Sequence, residues 1–190
     1  MGYFPMFMQM TGRKVLVVGG GAIAAEKLEK LVAFTDEITV IAEAFSPEAM
    51  RLVEDYGLVS HKRRYETGDI EGFDIVIVAT DTVSLHKAIY EESRAYRIWV
   101  NSVDNTAYCD FIFPSFVRRG DLTVAFSTGG ASPAFAKKIR RHFETLLPEG
   151  IEDFLSHMKR LRSELPKGKA RMKRFEEMVE RYFRENFYKS

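Results

Sequence analysis

The sequence predicts an α/β fold built on a doubly wound parallel sheet, followed by a hairpin and helix and then a small C-terminal helical region. Three observations carry this. Aliphatic strand patterns alternate with amphipathic helix patterns through the first hundred residues. A glycine turn stands where the first strand passes into the first helix. Beyond residue 104 the alternation gives way to an antiparallel pattern and then to helices alone.

The elements follow in order. "KVLVV" (14–18) is an aliphatic run of the kind buried on both faces, as in parallel sheets. Residues 22–34 predict a helix with Ala24, Leu28, Leu31 and Val32 on the apolar side and Glu26, Lys27, Glu29 and Lys30 facing away. "EITVIA" (37–42) is a second strand. A capped helix with Pro47 in its first turn covers 46–57, and a short third strand covers 58–64. "FDIVIVAT" (73–80), a helix at 82–97 and "IWVNSV" (98–103) complete the sheet, with right-handed crossovers. Residues 111–128 read as two strands joined at Arg119-Gly120-Asp121. Ser132 caps a helix to 147 whose apolar line is Phe135, Ile139, Phe143 and Leu146, ended by Pro148 and Gly150. Two charged amphipathic helices, broken at Pro166-Lys167-Gly168, occupy 151–188. The division expected is 1–110, 111–148 and 149–190.

With 46% hydrophobic and 29% charged residues, the chain has enough apolar matter to fold, which excludes intrinsic disorder as its class. A net charge of +1 gives no global field to recruit nucleic acid or an anionic membrane. Cys109 is the only cysteine, so neither an internal disulfide nor a multi-cysteine zinc site is expected, and a reducing compartment, the cytoplasm, is. No apolar run approaches the roughly 20 residues that span a bilayer. The N-terminus lacks a signal-peptide pattern, and Met6 stands where a myristoylation signal needs Ser or Thr.

Gly19-Gly20-Gly21-Ala22-Ile23-Ala24 matches G-x-G-x-x-A between strand and helix, which makes the first domain Rossmann-like. Gly19 allows the tight turn, Gly21 lets a pyrophosphate approach the backbone, and Ala24 keeps helix and strand close. The helix start supplies amide donors and a positive dipole end. A purely structural turn is the competing reading. After the second strand, Ala42 holds the position where an acid would select NAD, and Glu43 follows it. No arginine adjoins Glu43 in sequence, so NAD is favoured over NADP.

Asn101 and Asp104 fall at the carboxyl end of the fifth strand, where open α/β sheets bind ligands. Asp104 reads as a general base or as a turn-former. Cys109 reads as a small packed side chain. Ser127, Thr128, Gly129 and Ser132, with Lys137 on the following helix, form either an anion cradle or an ordinary capped helix with a basic face. The four histidines, His61, His86, His142 and His157, lack metal-ligand spacing and read as surface or boundary residues; no metal site is expected.

Together, "YFPMFMQMTGRKVLVVGGGAIAAEKL", "DIVIVATD" and "VNSVDNTAYCDFIFPSFVRRGDLTVAFSTGGASPAFAKKIR" resemble the precorrin-2 dehydrogenase/sirohydrochlorin ferrochelatase family, the N-terminal module of siroheme synthases, over residues 3–148. The resemblance implies NAD-dependent oxidation of precorrin-2 to sirohydrochlorin and, in some members, Fe2+ insertion. Asp104 matches the family's essential aspartate. Ala22, Ile23, Glu43 and Ala44 match its NAD contacts, and Asn101, Ser127, Thr128, Gly129, Ser132 and Lys137 are the substrate-binding candidates. Thr128 stands where some relatives carry a regulatory phosphoserine. The resemblance also implies a homodimer formed through the hairpin and helix, with the methyltransferase of fused relatives expected elsewhere. A non-catalytic module responsive to NAD(H) or a tetrapyrrole is the alternative function.

Overall fold

The computed structural model describes residues 2–188. The chain divides into two compact units, Met1–Phe113 and Pro114–Ser190.

The first unit is a five-stranded, wholly parallel sheet in the order β3-β2-β1-β4-β5. Its strands are β1 (Val15–Val18), β2 (Ile38–Ala42), β3 (Val59–Lys62), β4 (Ile75–Val78) and β5 (Trp99–Ser102). β1 and β4 are buried at every position, as their unbroken aliphatic runs require, whereas the edge strand β3 is exposed throughout and polar at three of four positions. Helices cover both faces. On one, α1 (Ala22–Leu31) and α2 (Pro47–Asp55) enclose Val15, Val17, Leu28, Val40, Val53 and Ile77. On the other, α3 (Val83–Tyr96) buries Ile89 against Leu16, Val18, Val76 and Val100. Burying these branched side chains contributes about 1.5–3 kcal/mol each, so the strands owe their place to two-sided burial more than to backbone propensity.

Ends are fixed locally. Ser46 Oγ accepts from Ala49 N–H at 3.2 Å to start α2, and Pro47 follows at the first position. α3 stops at Arg97 in the left-handed region, φ 55°. Asp74 closes the amino end of β4 by accepting from Lys14 N–H and Arg13 Nη1 at 2.9 and 2.6 Å, which holds its carboxyl below the ordinary carboxylate range.

The second unit pairs β6 (Ser115–Arg119) antiparallel with β7 (Leu122–Phe126), followed by α4 (Pro133–Leu146), α5 (Ile151–Glu164) and α6 (Lys169–Asn186). Ser132 Oγ accepts from Phe135 N–H to cap α4. Phe126 packs on Phe143 of α4, and Phe154 of α5 stacks on Tyr182 of α6, which gives the aromatic stripes of the tail a packing role. One stretch departs from the sequence reading: Phe111–Pro114 was expected to begin a strand and runs as irregular chain instead. Its backbone is held from β5, because Asn101 Nδ2 donates to Phe111 O at 2.9 Å.

Candidate functional site

The parallel register aligns Val18 with both Ile41 and Val78, and Val78 with Ser102. The chain therefore leaves β1, β2, β4 and β5 at one end of the sheet, and the loops 19–21, 43–46, 79–82 and 103–105 gather there. This is where open parallel sheets hold ligands.

The glycine turn is gripped on two sides and open on the third. Gly19 has φ +121°, and a Cβ there would stand 2.1 Å from Ala79 O. At Gly20 it would stand 2.4 Å from Ala44 O, and Ser46 N–H donates to Gly20 O at 2.7 Å. At Gly21 a Cβ would meet nothing within 4 Å. Gly21 is also the N-cap of α1 and brings no side chain to the first-turn amides, in contrast to Ser46 and Ser132 on their helices. Two crowded glycines followed by a vacant one at an uncapped helix start leave both space and donors for a phosphate group. Ile23, in the same first turn, is 40% exposed. These residues fit a dinucleotide's pyrophosphate.

Glu43 and Ala44 are exposed just past β2. The sequence placed no arginine beside Glu43; the fold brings one. β3 lies parallel to β2 with Lys62 opposite Ala42, and just beyond it Arg64 Nε donates to the Glu43 carboxylate. A partner twenty-one residues away is invisible to sequence adjacency.

After β5 the chain makes a tight turn closed by Asn105 N–H donating to Ser102 O at 3.2 Å, and Asp104 occupies its left-handed position at φ 60°. The Asp104 side chain is exposed at the carboxyl end of the sheet. Cys109 stabilises the loop: its Sγ accepts from Ser102 N–H and donates to Ser102 O, and burial pushes the thiol up from its ordinary value. Asn101 is buried with its amide committed to Phe111 O. Asp110 Oδ2 accepts from Val100 N–H at 2.8 Å and from Arg94 Nη2 at 2.6 Å, anchoring the far side of the loop.

Two sequence expectations need correction. Lys27 does not face solvent: its side chain is 13% exposed, with Nζ 5.1 Å from the centre of the Phe113 ring and 4.0 Å from Glu26 Oε1. Burial is the main cause that lowers its pKa, with Lys30 adding to it and Glu26 and Asp104 opposing. Helical periodicity placed Lys27 on the outer side, but the 111–113 segment packs over that flank of α1. Below the folded-state pKa the buried ammonium carries its full desolvation cost, and stability rises with pH from there towards the ordinary value of 10.5. Lys27→Met is therefore expected to raise the urea midpoint modestly at pH 7, with the gain shrinking as pH approaches 10.5; urea melts across that range check it.

His86 is likewise not a surface residue. It is 3% exposed on α3, and its Nε2 lies 2.8 Å from Thr80 O in the loop beside Gly19, while Nδ1 has no hydrogen-bond partner among the described residues. Sequence spacing gave no sign of this link, since a single histidine on a helix carries no pattern.

In the second unit the hydroxyl cluster is largely self-satisfied. Gly129 N–H donates to Ser127 Oγ at 3.1 Å, Ser132 N–H to Thr128 Oγ1 at 3.0 Å, and Phe135 N–H to Ser132 Oγ. Gly129 and Gly130 take left-handed φ of 62° and 91°, and Lys137 is exposed on α4. The loop is thus a preorganised helix entry with exposed glycines and a cation one turn on.

Comparison with known proteins fits this geometry. Residues 6–115 match the family described as "Putative NAD(P)-binding", and residues 119–146 match "Sirohaem biosynthesis protein central". The chain belongs to this NAD(P)-binding family and matches the siroheme synthase N-terminal module. It is 37% identical over 151 residues to a siroheme synthase of Pseudoalteromonas atlantica, covering 80% of this chain and 33% of the relative. It is 35% identical over 185 residues to one of Methylococcus capsulatus, covering 95% and 39%. The chain thus spans about a third of the length of the curated relatives it matches. Among solved structures it is similar to SirC, precorrin-2 dehydrogenase, with TM-score 0.77 and 25% identity, covering 89% of this chain and 85% of that one.

Proposed function

We propose that the chain oxidises precorrin-2 to sirohydrochlorin, with NAD as the hydride acceptor. The observation that carries this reading is Asp104, an exposed carboxylate on a left-handed turn at the same sheet end as the open Gly21 turn. When bound, NAD supplies the acceptor for the hydride leaving a saturated carbon of the macrocycle. The protein's own tasks are then three. The uncapped amides of α1 and the space at Gly21 bind the pyrophosphate, with Ala22 and Ile23 beside it and Glu43 and Ala44 at the adenosine ribose. Asp104 removes the proton that must depart as the hydride does, so that substrate loses two hydrogens and NADH and H+ appear. Holding substrate against the cofactor makes the step effectively unimolecular.

In this reading the hydroxyls of Ser127, Thr128 and Ser132, whose oxygens accept from nearby backbone N–H groups and whose O–H groups remain to donate, serve the substrate's carboxylates together with the cation Lys137. Asn101 acts by fixing the segment after the Asp104 turn. The hairpin and α4, within 111–148, form a homodimer contact: a lone two-stranded sheet is marginal by itself, and Phe135, Phe143 and Leu146 of α4 are exposed. The cytoplasm, which keeps Cys109 reduced, is the compartment that suits this chemistry. Fe2+ enters as a second substrate if the same carboxylate deprotonates pyrrole nitrogens.

Anaerobic mixing of precorrin-2 with NAD, followed at 340 nm and then after addition of Fe2+, tests the reading. NADH formation is the expected result, and its absence with folded protein rejects dehydrogenation. An absorbance change accelerated by iron adds chelation; none leaves the dehydrogenase alone.

A further inference from the structure

We propose that the Glu43–Arg64 pair sets cofactor selectivity, with Glu43 accepting the adenosine ribose hydroxyls of NAD(H) while it neutralises an arginine otherwise placed to receive the 2′-phosphate of NADP(H). This rests on the reading that the ribose meets the end of β2. A carboxylate there favours a 2′-hydroxyl and repels a 2′-phosphate, and an arginine does the reverse. This chain has both, in contact. Parallel pairing of β2 with β3 delivers them side by side, since the register Ala42 opposite Lys62 sends Glu43 and Arg64 out of the same end of the sheet.

The neighbouring arginine of the basic run His61–Arg64 is otherwise engaged. Arg63 makes a two-pronged pair with Asp69, 2.7 Å at each prong, which lowers the carboxyl of Asp69 and raises the guanidinium. The Glu43–Arg64 pair is different in kind. Its side chains are 57% and 83% exposed, and an exposed pair of this sort adds little stability. Among the described residues, the Arg64 guanidinium pairs with the Glu43 carboxylate alone, at the ligand end of the sheet. Removing that carboxylate frees a guanidinium suited to bidentate phosphate binding.

Fluorescence titration of the full chain with NADH and with NADPH decides the matter, using wild type, Glu43→Ser, Arg64→Ala and the double variant, each checked by circular dichroism. Wild type is expected to prefer NADH. Glu43→Ser is expected to shift the NADPH-to-NADH affinity ratio towards NADPH by at least about tenfold, the scale of one charge-assisted phosphate contact. The double variant loses that gain, and added salt weakens it. An unchanged ratio in Glu43→Ser, or a gain that survives removal of Arg64, overturns the inference while leaving dinucleotide binding intact. Wild type that binds neither nucleotide overturns both this inference and the reading beneath it.

Discussion

Asp104→Asn is expected to lower dehydrogenation of precorrin-2 by about 10²–10⁴-fold, the usual contribution of a positioned general base, while leaving NADH affinity unchanged. The choice of asparagine matters. Asp104 sits at φ 60°, where an L-residue is tolerated best if it is Asn or Asp. Asn therefore keeps the turn and removes only the proton acceptor. Asp104→Ala removes the acceptor and strains the turn by about 1–2 kcal/mol, so it is expected to lose stability as well as activity. Comparing the two variants by urea melts and 340 nm rates separates the backbone role from the chemical one. A module that binds NAD(H) without turnover would show no kinetic difference between wild type and Asp104→Asn.

The second large effect belongs to the glycine turn, where neighbouring positions are expected to fail in opposite ways. Gly19→Ala would thrust a methyl to 2.1 Å from Ala79 O and 2.7 Å from its carbonyl carbon, at a φ of +121° that side chains avoid. Ala79 N–H donates to Val18 O at 2.8 Å, so relief of the clash must prise β4 from β1 at the centre of the sheet. The loss is expected at about 3 kcal/mol or more from overpacking and backbone strain together. Gly21→Ala meets no atom within 4 Å and has φ −81°, which alanine adopts freely. Its fold is expected to be as stable as wild type, but the methyl enters the space assigned to the pyrophosphate, so NADH binding weakens. Urea melts paired with NADH titration read out this crossover. Loss of stability in both variants would mean that the turn is structural only.

The fold was legible because its physics is repetitive. Buried-both-sides strands such as Val15–Val18 and Ile75–Val78 cannot be anything but aliphatic, and Ser46 with Pro47 or Ser132 with Pro133 announces a helix start whatever lies around it. The irregular course of Phe111–Pro114 was not legible, because its apolar pattern suits a strand and only a bond from Asn101 shows where its backbone is spent. At the site, the glycine turn could be read from local chain chemistry, whereas the spacing left Asp104 as either a base or a turn-former and only the family resemblance assigned it a role. Arg64, Lys27 and His86 could not be read in either way. Arg64 and Lys27 owe their roles to neighbours distant in sequence, Glu43 across the β2–β3 register and Phe113 laid over α1, and His86 owes its role to Thr80, six residues before it but in the loop beside Gly19. A charged residue on a helix or a strand end looks solvated until the segment that covers or meets it is known.

A crystal structure of the chain with NADH tests this site most directly. The pyrophosphate is expected against Gly21 and the first turn of α1, the ribose hydroxyls at Glu43, and the nicotinamide on the side of the sheet end where the Asp104 carboxylate stands. A pyrophosphate bound away from the Gly19–Gly21 turn, or a nicotinamide out of reach of Asp104, would contradict this assignment.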